Sequence, residues 1–143
     1  MARVNKVQVD GADTASAPTV AAAGSDTDID LQLSAQGKGK ARLGDVGTAV
    51  AVAGAATLNK QRGKVTSESL TTAAGSDWVL TLTNNKIAAT DIVLASIDTG
   101  TNTTEGLAVH RVTQGSGSVV IHIRNTHASS ALNGTVVVSF AIL

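Results

Sequence analysis

Apolar side chains in this chain return at every second position, and a period of two permits little besides β-strands. In "DWVLTLTN" the alternation sets Trp78, Leu80 and Leu82 on one face, against Val79, Thr81 and Thr83 on the other. "SVVIHIRN" opposes Val119, Ile121 and Ile123 to Val120, His122 and Arg124, and "TVVVSFAI" gathers Val136, Val138, Phe140 and Ile142 on one face. "TDIDLQL" repeats the pattern, with Ile29, Leu31 and Leu33 opposite Asp28, Asp30 and Gln32. Helices would need apolar positions three and four apart, and that spacing is nearly absent. The runs are rich in β-branched residues, which suit a pleated, half-buried surface.

Turn clusters separate the runs: "DGAD", "AAGSD", "GKGK", "NKQRG", "DTGTNTTEG", "QGSGS" and "NTHASSALNG". Gly, Asn and Asp recur in them because they reach positive φ or bond their own backbone at low cost. "AAGSD" occurs twice, at 22–26 and 73–77, each time feeding an alternating run; the similarity ends within a few residues, so it marks a reused turn rather than a duplication. Short strands broken by frequent turn signals predict an all-β protein, a sandwich or a barrel.

The two parts of the chain differ. Six strands are expected at 64–70, 78–84, 91–97, 107–112, 118–125 and 135–142, with a seventh near 56–59. Together they suffice for an antiparallel β-sandwich, jelly-roll-like in form. Residues 1–55 offer only runs at 4–9, 29–33 and 41–43 and an Ala/Val stretch, too little for an independent core. The expected division is therefore an N-terminal strand-rich docking or oligomerisation segment, 1–55, and a C-terminal β-sandwich domain, 56–143.

Hydrophobic residues make up 43% of the chain, yet Trp78 and Phe140 are its only aromatics. The core must be aliphatic, and association would add the apolar burial that large rings usually supply. A homo-oligomer, intertwined through its N-terminal segment, is expected. Eleven basic residues balance eleven acidic ones, and no basic run exceeds "NKQRGK", so nucleic acid is a poor partner. No cysteine is present, which suits a reducing cytoplasm. The start "MARVNKVQVDGADTAS" shows no apolar signal region, and the run "GTAVAVAGAATLN" is too short to span a bilayer, so no membrane is expected.

The chemistry-bearing residues are sparse. His122 shares a strand face with Val120 and Arg124, His127 falls in the loop "NTHASS", and His110 stands beside Arg111. Three scattered imidazoles without cysteine do not make a zinc site. Asp26, Asp28 and Asp30 alternate and could share a side, but carboxylates on one strand face stand about 7 Å apart, too far for one calcium ion without loop ligands. "GSGSV" and "GKGK" precede strands, where a phosphate cradle needs a helix N-terminus. No G-x-S-x-G elbow occurs. The sequons at Asn102 and Asn133 read as loop residues, the second an Asn-Gly turn. The residues suggest a protein that is not an enzyme and needs no cofactor or metal.

Two stretches resemble known proteins. "APTVAAAGSDTDIDLQLSAQGKGKARLG", residues 17–44, resembles a segment of tailed-bacteriophage structural proteins, departing from its pattern at Gln36 and Ala41. The long C-terminal stretch, residues 63–143, with "GKVTSESLTTAAG", "GSGSVVIHIRN" and "HASSALNGTVVVSF", is similar to a β-rich domain of phage virion proteins. The resemblance implies a virion structural protein in a threefold or other oligomeric assembly, a trimer being favoured. The expected function is capsid decoration, as a cement protein bound to the major capsid protein on the outer shell and made in the host cytoplasm. The alternative is a tail-fibre, head-fibre or baseplate adhesin that meets the host through loops such as "DTGTNTTEG". Val4, Val7 and Val9 are the expected docking strand.

Overall fold

The computed structural model describes residues 6–10, 19–23, 38 and 44–143. The chain divides into two compact units, Met1–Arg42 and Leu43–Leu143. In the first, β1 (Lys6–Asp10) and β2 (Thr19–Ala23) pair antiparallel, Val7 opposite Ala22 and Val9 opposite Val20. β1 matches the run expected at 4–9. β2 lies in "TVAAA", where alanines hide the alternation. The runs expected at 29–33 and 41–43 lie outside the described residues, as do Val4, Asp26, Asp28 and Asp30.

The second unit is built entirely of strands and turns. Its elements are β3 (Val46–Val50), β4 (Ala55–Thr57), β5 (Arg62–Thr66), β6 (Asp77–Thr83), β7 (Val93–Thr99), β8 (Leu107–Gly115), β9 (Ser118–Asn125) and β10 (Val136–Ile142). One sheet runs β3-β5-β10-β7 and the other β4-β6-β9-β8. Among the described residues no helix is long and apolar enough to cross a membrane. All six strands expected after residue 63 are present, with ends displaced by a few residues.

The sheets are mixed, which corrects the antiparallel expectation: β3 runs parallel to β5, and β4 parallel to β6. The cause is the path of the chain. From β3 to β6 each successive strand joins the opposite sheet, so β3 and β5, and likewise β4 and β6, become neighbours and run the same way. Parallel neighbours need such a crossover, whereas a tight turn can join only antiparallel ones. Val46–Val50, read from sequence as part of the N-terminal segment, thereby pairs with β5 in the second unit.

Both sheets contribute to one apolar core, which holds Val65, Val136, Val138 and Phe140 from the first and Leu80, Leu82, Val119, Ile121 and Ile123 from the second. The faces read from the alternation are the buried ones. Phe140 needs special room. Its row across the sheet is Gly47, Gly63, Phe140, Ala95, so the ring's neighbours carry little or no side chain. A Cβ on Gly63 would come within 2.6 Å of Leu58 Cδ2 and 3.1 Å of the Phe140 ring. Glycine is required there by close packing, since no positive φ is involved.

Loops at one end are held by buried amides. Asn125, fully buried, donates from Nδ2 to the carbonyls of Thr72 and Ser130 and accepts at Oδ1 from the His127 N–H. Asn102, 4% exposed, donates to the Thr104 carbonyl and accepts from the Asn133 N–H, while Asn133 Oδ1 accepts from the Thr103 N–H. The two sequon loops thus clasp each other, and Asn102 is inaccessible to a glycan. Gly134 sits in the clasp, where a Cβ would meet the Asn102 nitrogen at 2.7 Å.

The turn joining Val52 to Ala55 holds Ala53 at φ 50° and Gly54 at φ 74°, a conformation that suits Asn-Gly better than Ala-Gly. Ala53→Asn should raise stability by up to about 1 kcal/mol, measured as a higher urea midpoint at constant slope. Ile121→Ala should lower it by about 2–5 kcal/mol, since Ile121 is fully buried in the core that the two sheets share.

Candidate functional site

The outer faces of the two sheets carry different side-chain groupings. On the β4-β6-β9-β8 sheet, residues Asp77, Arg124 and Ala108 stand in one row, and Val79, His122 and Arg111 in the next. A bulge lies between Val109 and Arg111, leaving His110 without a ladder partner. Two residues of β8 then oppose one step of β9, so His110 and Arg111 both reach the outer face. The local consequence is a carboxylate, Asp77, facing His110, His122 and Arg124, with Arg111 bonded to His122.

The geometry fixes proton positions. His110 Nδ1 lies 2.9 Å from Asp77 Oδ2, and the carboxylate can only accept, so Nδ1 donates. Arg111 Nη2 lies 2.8 Å from His122 Nε2; a guanidinium can only donate, so Nε2 carries no proton. The proton of neutral His122 is then on Nδ1, which faces Asp77 Oδ2 at 3.5 Å. Arg124 Nη2 donates to the Gly75 carbonyl at 2.7 Å, and its Nη1 pairs with Asp77 Oδ1 at 3.5 Å. The hydrogen bond from His110 and the charges of His110, Arg124 and His122 hold the Asp77 carboxyl below its ordinary value, against partial loss of solvation.

His127, by contrast, serves the fold. Its Nδ1 accepts from the backbone N–H groups of Ser129 and Ser130, capping the loop that follows β9. The sequence placed His122 on the outer face beside Arg124, but the bulge that brings in His110 has no signal in the alternation. Among the described residues no three His, Cys, Asp or Glu side chains are placed to hold one metal ion.

The β3-β5-β10-β7 sheet turns a mixed face outward, with Arg62, Lys64 and Asp98 in its rows and exposed aliphatics along its edge strands. Val46 and Leu94 end the row that runs through Arg62 and Ala141, and Ile92 exchanges backbone hydrogen bonds with Leu143 beside it. Ile92, Leu94 and Leu143 are 60%, 55% and 68% exposed. A shallow recess of about 230 Å³ runs along β7 and β10, lined by Leu94, Ala95, Ser96, Ser139, Phe140 and Ala141; no titratable side chain lines it. "GSGSV" forms the β8–β9 hairpin turn, with Gly117 at φ 78°. Of the expected docking residues, Val7 and Val9 lie in β1.

No family model, curated protein or solved structure matches this chain.

The Asp77 ion pairs and the bond from the Gln61 N–H to Asp45, which also holds that carboxyl low, favour the ionised forms in the folded state. Their contribution is complete above the ordinary value of 3.8 and is lost as pH falls through the lower folded values. Urea midpoints should therefore fall as pH drops below about 4. Asp77→Asn should lower the neutral midpoint and make the acid decline shallower; an unchanged decline would mean that the cluster does not stabilise the fold.

Proposed function

We propose that this chain is a non-enzymatic structural protein of a tailed-bacteriophage virion, a decoration protein that binds the assembled capsid. The observation that carries the reading is the group of exposed aliphatics at Ile92, Leu94 and Leu143. Exposed aliphatics gathered on one sheet face are an affinity for another surface, and shared burial is how such affinity is realised. The resemblance of residues 17–44 and of the long C-terminal stretch to phage virion proteins supports the same reading. In it, the second unit is a jelly-roll-like sandwich held in a homo-oligomer, a trimer by preference. The partner is the major capsid protein on the outer shell, and β1 with Val4, Val7 and Val9 adds a docking strand.

The mechanism is mass action. A protein that binds the assembled shell and not its separated subunits shifts the equilibrium toward assembly by an amount set by its occupancy. The adhesin alternative needs loops that are open to a partner, but the side chains of Asn102 and Asn133 bind one another's loops.

Purified protein should co-sediment saturably with undecorated capsids and raise their resistance to heat, while host cells retain none. Retention by cells alone would overturn the reading. The double variant Ile92→Lys, Leu94→Lys should reduce capsid retention at least about tenfold, about 1.4 kcal/mol, with an unchanged melting temperature. Deleting residues 2–10 tests the docking strand separately: loss of retention with normal melting is expected, and full retention would remove that strand from the contact.

A further inference from the structure

The outer face of the β4-β6-β9-β8 sheet holds a bond that protonation must break. Arg111 donates to His122 Nε2 at 2.8 Å, which requires that nitrogen to be bare. When His122 takes a second proton, Nε2–H and the guanidinium become two donors facing one another, both positive. His122 Nδ1 lies 3.5 Å from Asp77 Oδ2, so turning the ring away would lengthen that ion-pair contact. Arg111 is exposed, and among the described residues no second acceptor takes its remaining N–H groups.

From this we propose that Arg111 and His122 form an oxyanion site that acid creates. Once the exposed Arg111 side chain moves aside from the 2.8 Å contact, an oxygen between Nε2–H and the guanidinium accepts from both, and so replaces the acceptor that protonation removed. The ligand is a small oxyanion, a sulfate, phosphate or carboxylate group, and the two bonds to it are charge-assisted. Every charged group in contact with His122 or Arg111 has a part. Asp77 on β6 anchors the His122 ring from the opposite side. Arg124 on β9 adds positive charge at the next row while tied to Gly75 O and Asp77. His110 on β8 donates to Asp77 and, when protonated, raises the field further. The other outward residues of the neighbouring rows, Val79, Ala108, Thr81, Val120 and Thr113, carry no charge.

A divalent cation is the wrong occupant, although two imidazole nitrogens face Asp77 Oδ2. Two guanidiniums stand beside that oxygen's ring of partners and would repel a cation. The site does not depend on the virion reading, because it needs only these five side chains.

Binding and protonation must then be linked: an anion that prefers protonated His122 raises its midpoint, and protonation tightens the anion by the same factor. The test follows the three histidine ring signals by NMR between about pH 8 and about pH 5, spanning the histidine range. Sodium sulfate, whose charge is constant over that range, is compared with sodium chloride at equal ionic strength. Sulfate should raise the His122 midpoint saturably by at least half a pH unit, about a threefold tightening or more, and leave His127 unmoved. Arg111→Ala should abolish the sulfate effect while keeping the chain folded. No sulfate-specific shift at His122, an equal shift at His127, or a full effect in Arg111→Ala would each overturn the proposal.

Discussion

The core of the second unit must be filled by aliphatic side chains with one phenylalanine and one tryptophan, and the layout answers to that constraint. Branched residues on facing strands occupy the interior in alternate rows, Trp78 with Ile123 and Val109, and Leu80 with Ile121 and Val112. Phe140 is the exception in volume, and its row is cleared by Gly47, Gly63 and Ala95. Leu58, from the turn after β4, closes over the glycines. The glycines of two neighbouring strands are thus part of the packing and not merely turn formers. Trp78 is tied at its polar tip: Nε1 donates to Glu68 Oε1 at 3.0 Å, and the same oxygen accepts from the Gly54 N–H, linking the ring to the tight turn before β4.

Buried polar groups define the ends of the unit as firmly as the aliphatics define its middle. Ser67, 1% exposed, accepts from the Val136 N–H and donates to the Glu68 carbonyl, satisfying backbone where β5 gives out. Asn84 donates to the Lys60 carbonyl and accepts from the Lys86 N–H at the other end of β6. Each of these groups would cost free energy if left unpaired in the interior, so their partners fix the loops that carry them. That explains why the long segments between β7 and β8 and between β9 and β10 are ordered against each other instead of splayed.

The alternation disclosed the strands and their inward faces because burial on one side imposes a period that the residues themselves display. Leu80, Ile121 and Val138 are buried as that period requires. Partner choice was hidden, since a strand beside a parallel neighbour looks in sequence like one beside an antiparallel neighbour; the Ala/Val stretch holding β3 and the run near 56–59 overlapping β4 were legible, but not which strands they would join. The His110 bulge was hidden for a related reason: one extra residue shifts the register of β8 without altering which residue types occur. His122 and Arg124 were visible as outward neighbours on β9, but Asp77 and Arg111 join them only through pairing across three strands. The sequons were legible as loops, and their reciprocal bonding was not, because 31 positions separate Asn102 from Asn133.

The weave of the chain between sheets bears on how the protein is made. β10 is the only strand joining β5 to β7, and β9 the only one joining β6 to β8. A nascent chain emerging from the ribosome therefore displays β3 to β7 with no central strand to close on, apart from two short parallel neighbours. Within the second unit the first pairing of consecutive strands is the β8–β9 hairpin, and the aliphatic interior can seal only when β10 follows. Until then half of the eventual interior faces water, which makes this a protein whose solubility during synthesis rests on its charged and hydroxyl-bearing outer rows.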